Sequence, residues 1–526
     1  MHGSIGHTGH LAGSAPERGR YLVGMGCWSS LPLAALFGSL GLCCAPAASL
    51  GNNDRPSSSS SGAAGTSSGG GGAFAAGAGG VSTGGVAGDA GALPGSVTAL
   101  ALGYDSACAL NASGALKCWG KNELGSLGLG DAVNRGDAPG EMGALLPAID
   151  VGTQRSVQQI AAGGSWKCAL LDDATVKCWG SSSNGECGLA DTLTRGDMPN
   201  QMGDNLLRVD LGSGRTAVAL SAGAEDSEGG HTCAILDDGS VKCWGSNRFG
   251  ALGLGDTVDR GDGSGPVGQM GDALTAVELG TGRTARAISV GGGGVYGTTC
   301  ALLDDETVKC WGVNNFGQLG LGDSVNRGDQ PDQMGDNLPT IALGSGRTAR
   351  QLAVGTVFAC ALLDDGTVKC WGSNVAGGLG LGDTMNRGDQ PDQMGDNLPP
   401  VDLGTGRTAQ AIAAGTNACA LLDDGAVKCW GDNYYGALGL GDNLDRGTLP
   451  GQMGDNLPPV DLGAGQSARA LARGVGENTI CALLTDGGVK CWGVNNAGQL
   501  GLGDTTSRGN MPGQMGDSLP AIDLGL

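Results

Sequence analysis

Fourteen cysteines stand in seven pairs of one spacing, C-x9-C: Cys108 and Cys118, Cys168 and Cys178, Cys233 and Cys243, Cys300 and Cys310, Cys360 and Cys370, Cys419 and Cys429, Cys481 and Cys491. Paired thiols can bridge or bind metal. Zinc pairs usually sit two to four residues apart, with a second pair or histidines nearby, so this spacing argues against zinc. It suits a hairpin. In "CALLDDGTVKC" the turn falls on Asp364-Asp365-Gly366, with Gly in the left-handed place of a three-residue loop. Cys360 then faces Cys370 across the ladder at a close, non-hydrogen-bonded position, where a bridge needs little movement. Seven intra-hairpin disulfides are expected, each worth roughly 2.5–3 kcal/mol. Paired thiols in this number place the chain in an oxidising compartment. Ala174 and Glu306 occupy the Gly position in two copies. There the turn is strained by roughly 1 kcal/mol, or changes type. Cys187 is alone where other copies carry Leu, which reads as a small buried apolar residue.

Other chemistry is thin. His231 is the one histidine of the repeat region, in a Gly-rich loop with no marked nucleophile. The carboxylate pairs of the "LDDG" turns are adjacent residues at hairpin tips, not two carboxyls flanking one bond. No phosphate-binding loop followed by Lys is present. The expectation is a non-catalytic chain without cofactor. Asp323, Asp329 and Asp336, in "GLGDSVNRGDQPDQMGDNLP", are candidate oxygen ligands for calcium, against a plainer role in turns. Arg-Gly-Asp recurs at Arg135, Arg195, Arg260, Arg327 and Arg387. Repetition explains it better than adhesion does.

The elements that position these residues repeat with them. The phrase "CALLDDGTVKCWG" returns every ~60 to 67 residues, around Trp119, Trp179, Trp244, Trp311, Trp371, Trp430 and Trp492. A fixed period of that length marks a repeat architecture. Each repeat offers short strands bounded by Gly, Asp or Pro, as in "ARQLAVG", "CALL", "TVKCWG" and "PPVDLG". Four short antiparallel strands per repeat read as one blade of an all-β, seven-bladed β-propeller, closed so that no long sheet edge is exposed. The Ala-rich first strand suits the crowded axis. The repeat Trp alternates with Cys and should fill the space between blades. The termini of the ring should meet.

Three regions follow: 1–48 a leader, 49–96 a disordered Ser/Gly/Ala-rich linker, and 97–526 the propeller. Arg18 and Arg20 precede the apolar "SLPLAALFGSLGLCCAPAA", which fits a signal peptide. A lipoprotein-type anchor at Cys43 or Cys44 and an uncleaved membrane anchor stay open, as does a start at Met25. The linker cannot bury enough apolar area to order itself. Net charge is −22 at pH 7, which argues against nucleic acid and anionic membrane surfaces. The membrane enters only through the leader.

The string "CALxxDGxVxCWGxNxxGQLGLGD", best in Cys300 to Asp323 and Cys481 to Asp504, resembles the repeat of the regulator-of-chromosome-condensation family, whose fold beta-lactamase inhibitor protein II shares. The resemblance implies a seven-bladed propeller. Eukaryotic members act in nucleotide exchange on a small GTPase and touch chromatin. Export and acidity set this chain apart from both activities, and it looks like the bacterial exported type.

Copies differ mainly on one face, in the first-to-second connections and just after "CWG". Loops are where binding residues concentrate, and aromatics are enriched at hot spots. The candidate binding residues are therefore Phe249, Phe316, Tyr434, Tyr435, Trp166, Tyr296 and Arg248. The expected function is an exported or surface-tethered monomeric scaffold, secreted or at the cell surface, that binds a protein partner. The alternative is a glycan- or calcium-dependent adhesin.

Overall fold

The computed structural model describes residues 77–78, 81–82 and 95–526, save 224–228, 266–268, 294–295, 475 and 477. The leader and most of the linker lie outside these residues, where only the pairing of Gly77–Ala78 with Val81–Ser82 is described.

From Val97 onward the chain forms seven antiparallel sheets of three strands, taken in sequence order from inner to outer. The fifth blade, Ala349–Val354, Phe358–Leu363 and Val368–Gly372, typifies them. Its hairpin has the expected register. Cys360 pairs with Cys370 and Leu362 with Val368. Leu363 N–H donates to Thr367 O at 2.9 Å and Gly366 N–H to Leu363 O at 3.0 Å. Gly366 takes φ +80°, which costs Gly nothing. Asp365 Oδ1 accepts from the Thr367 N–H at 3.0 Å and hydroxyl at 2.7 Å. Ala174 and Glu306 hold the same left-handed position, at φ 60° and 67°, so those two turns keep their type and carry the strain. All seven cysteine pairs are disulfides, with Cα–Cα separations of 4.0–4.1 Å. Cys187 is a buried free thiol, and burial pushes it up to about 12.

The expected fourth strand is not a strand. The outer strand makes one isolated bridge, Gly372 with Arg387. The "PPVDLG" segment returns one bond, Val401 N–H to Val368 O at 2.7 Å. Proline supplies no donor and the flanking glycines break the extended run, so a ladder cannot propagate.

Packing lies between blades. Seven apolar clusters each join two neighbours, including the pair of blades one and seven. In one of them the Cys360–Cys370 bridge of blade five and Trp430 of blade six share the core. Cysteine and tryptophan thus face opposite neighbours, as their alternation requires. Each repeat Trp is fully buried and donates its indole N–H to a carbonyl of the preceding blade, as Trp371 does to Gln318 O at 3.0 Å. Ring closure uses the same devices. Trp119 donates to Gln499 O at 3.0 Å, and Lys117 Nζ to Leu524 O at 2.6 Å.

The repeat Lys is a further clamp. Lys428 Nζ donates to Leu403 O at 3.0 Å, in the segment arriving from the preceding blade, and to Gly454 O at 2.8 Å in its own outer loop. Desolvation lowers its pKa, opposed by Asp455 and Asp402. At the axis the inner strands run into glycines packed on one another. A Cβ on Gly103 would fall 2.4 Å from Gly163 O, and one on Gly355 2.5 Å from Gly415 O. Any larger residue would push the blades apart.

Candidate functional site

Backbone bonds sort the loops onto two faces. Ser373 N–H, just past the repeat Trp, donates to Val357 O at 3.0 Å, and Val494 N–H to Asn478 O at 3.0 Å. The first connection and the loop after "CWG" therefore share one face. On the other face Arg347 pairs with both hairpin-tip carboxylates, Asp364 at 3.1 Å and Asp365 at 2.8 Å.

The loop after "CWG" is held by a knot. Asn314 is fully buried. Its Oδ1 accepts from Leu319 N–H at 2.9 Å, and its Nδ2 donates to Asp323 O at 2.8 Å and Oδ1 at 3.0 Å. Asp323 also accepts from Val325 N–H at 2.9 Å and from Arg327 Nη2 at 2.7 Å. The Arg of the Arg-Gly-Asp tripeptide is thus bound within its own loop. Burial raises the carboxyl pKa at the equivalent Asp383. The Arg387 hydrogen bond and charge and the Met385 N–H outweigh it, leaving a net lowering.

The calcium candidates do not converge. Asp323 serves this knot. Asp336 gives both oxygens to Thr281, at 2.8 Å to its N–H and 2.5 Å to its hydroxyl. Asp329 N–H donates to Gln333 Oε1 at 3.1 Å. Among the described residues no three His, Cys, Asp or Glu are grouped to hold a metal.

On this scaffold the variable positions separate. Tyr434 and Tyr435, in blade six, are 62% and 45% exposed. Their rings meet edge-to-face at 4.2 Å, and Tyr435 sits at φ 59°, a conformation costly for an aromatic residue. Behind them Tyr434 N–H donates to Asp432 Oδ1 at 3.1 Å, and Asn478 Nδ2 donates to Asp432 Oδ2 at 3.1 Å. Asn478 and Thr416 in turn meet the buried Arg473, whose Nη2 donates to Thr416 Oγ1 at 2.7 Å. The tyrosines rest on a polar network spanning blades six and seven. Phe249 and Phe316 occupy the Tyr435 position in blades three and four and are half-buried. The Arg248 guanidinium lies 5.8 Å from the Phe249 ring centroid. Tyr296 is half-buried in the first connection of blade four. These side chains share a face but are divided among blades three, four and six.

Trp166 does not belong with them. It opens a middle strand and is 2% exposed. Its indole N–H donates to Thr232 Oγ1 at 3.0 Å. A Cβ on Gly230 would fall 1.8 Å from its ring, so glycine makes its cradle. Its neighbour Lys167, absent from the sequence-based candidates, is fully buried. Nζ donates to Ser106 Oγ at 3.0 Å and Trp166 O at 3.3 Å, and burial drives it down to about 7. The signal was there: other copies place Ala, Thr or Ile at this position. His231 is also fully buried, with Nε2 2.6 Å from Thr299 Oγ1, and burial takes it to about 3. It packs between blades and does not reach the surface.

Among known proteins, the family description "Regulator of chromosome condensation (RCC1) repeat" matches residues 97–126, 229–251, 288–318, 349–377, 411–437 and 474–499. The Arabidopsis thaliana ultraviolet-B receptor UVR8 is 28% identical over 355 residues, 66% of this chain and 68% of the receptor. The human E3 ubiquitin-protein ligase HERC2 is 28% identical over 378 residues, 70% of this chain but only 7% of the ligase. In fold the chain is similar to yeast RCC1 (Prp20), solved bound to Kap60, at TM-score 0.50 and 20% identity, covering 72% of this chain and 78% of that one. Human WBSCR16 gives TM-score 0.50 and 19% identity, over 72% and 84% of the two chains.

Proposed function

We propose that this chain, six of whose blades match the RCC1 repeat, is an exported or surface-tethered, non-catalytic scaffold that binds a protein partner through the loop face. The observation that carries this is the Tyr434–Tyr435 pair, exposed and conformationally strained on a rigid frame. Large aromatics held without much residual entropy are effective anchors. Yeast RCC1, of similar fold, is known in complex with a protein, Kap60, which supports a binding role without naming the partner here. The seven disulfides support an oxidising compartment.

The test is affinity capture from envelope and culture-supernatant extracts with the full chain, beside a Tyr434→Ala, Tyr435→Gly variant and an Arg347→Ala variant of the opposite face. A protein retained by the wild type and by Arg347→Ala, and lost by the tyrosine variant, is the expected result. Equal retention by all three, or no specific partner, refutes the assignment. Free thiols at the seven pairs in native material would overturn export.

A further inference from the structure

Three blade junctions carry the same open groove on the outer rim. The groove between blades one and two is about 570 Å³, lined by Leu129, Pro199, Asn200, Met202 and Asn205 among others. Between blades three and four it is about 450 Å³, with Leu254, Pro331, Asp332, Met334 and Asn337. Between blades four and five it is about 280 Å³, with Leu321, Pro391, Asp392, Met394 and Asn397. Each floor is Leu, Met and Pro; each wall carries an Asn at one shared position, Asn205, Asn337 or Asn397.

The features shared by all three grooves define the chemistry. No Lys or Arg lines any of them, so an anionic ligand finds no counter-charge. The residue at the position of Asp150 varies to Glu278 and then Ala342. A carboxylate at that position is not common property, although Asp332 lines the second groove and Asp392 the third, so the polylysine comparison below separates a basic ligand from a neutral one. In the first groove Asp204 is also spent, with both oxygens on Thr153. The carboxamides of Asn205, Asn337 and Asn397 remain. They are exposed and make no side-chain hydrogen bond among the described residues. Beside them Asn200, Asp332 and Asp392 sit at φ 67°, 63° and 63°, where blades one, six and seven have Gly140, Gly451 and Gly513. Asn and Asp tolerate that conformation better than other non-Gly residues, and here they place polar side chains at the groove mouths.

We propose that these grooves bind a neutral polysaccharide, one sugar unit or a few per groove. A sugar presents a C–H face to the Leu, Met and Pro floor. Its hydroxyls meet the carboxamide, which both donates and accepts. The volumes are near or within the usual range for small-ligand sites. Related sites repeated around a ring suit a repeating polymer, which engages them together and gains avidity. The inference is independent of the loop-face reading.

The experiment is affinity gel electrophoresis of the full chain in gels containing laminarin, xylan or dextran, with polylysine as the basic comparison. The variants are Asn205→Leu, Asn337→Leu and Asn397→Leu, singly and together, beside the Tyr434→Ala, Tyr435→Gly chain. The expected result is retardation by at least one neutral polymer. It should weaken several-fold with each single variant and by about 100-fold or more in the triple. The tyrosine variant should be retarded as the wild type is. No retardation in any neutral gel, retardation unchanged across the Asn variants, or binding to polylysine alone each overturns the proposal. Should the triple variant melt early, the three single variants carry the comparison.

Discussion

Replacing Lys167 with Met should stabilise the protein at neutral and mildly acidic pH, although it deletes two hydrogen bonds. Lys167 is fully buried, with only Ser106 Oγ and Trp166 O accepting from it. Burial lowers it from 10.5 to about 7. At about 1.36 kcal/mol per pH unit, that difference corresponds to about 5 kcal/mol against the charged form in the folded state. In the unfolded chain the ammonium stays charged to about pH 10. Between pH 7 and 10 the unfolded state thus binds more protons, and stability rises with pH. Below pH 7 both states are charged and the cost is present in full. From pH 6 to 8.5 the Lys167 contribution should rise by about 2 kcal/mol. Met fills nearly the same volume, and losing two donors costs about 1 kcal/mol each. The expected gain is about 3 kcal/mol at pH 6, shrinking to about 1 kcal/mol at pH 8.5. Urea midpoints with disulfides intact, for both proteins at both pH values, measure it. A destabilised variant at pH 6, or a difference that does not change with pH, refutes the reasoning.

Three further outcomes follow from the frame. Gly366→Ala should cost more than 1 kcal/mol, because φ is +80° and the new Cβ would fall 2.8 Å from Thr408 Cβ; Ala174→Gly should raise the melting temperature slightly by relieving the same strain, less the extra freedom of the unfolded chain. Both are read by thermal denaturation, and equal, small effects would contradict the shared turn type. Trp371→Phe should cost roughly 3 kcal/mol, from lost packing and a buried Gln318 carbonyl left without its donor; a neutral result in urea unfolding would contradict the interblade role. Reduction of the seven disulfides should remove about 2.8 kcal/mol per bridge for a loop of sequence separation 10, more in sum than a typical domain's whole stability. A reduced chain that keeps its near-UV circular dichroism would refute that estimate.

What the sequence settles by itself is local. Turn chemistry at Asp364-Asp365-Gly366 sets the hairpin register, and the register places Cys360 opposite Cys370; both follow from residues a few positions apart. The period of the repeat Trp yields the blade count by the same local logic. The absence of a fourth strand is also decided locally, because extended-looking residues with Pro and Gly at their ends cannot sustain a ladder. The site is different. Trp166 and Tyr434 are both aromatics near variable loops, yet one is sealed under the next blade by Gly230 and the other stands in solvent. That difference depends on where strand alternation points each side chain relative to a neighbour some sixty residues away. Lys167 acquires its pKa, and the rim grooves acquire their walls, only when adjacent blades close on each other. Burial and concavity belong to pairs of blades, and no single repeat contains them.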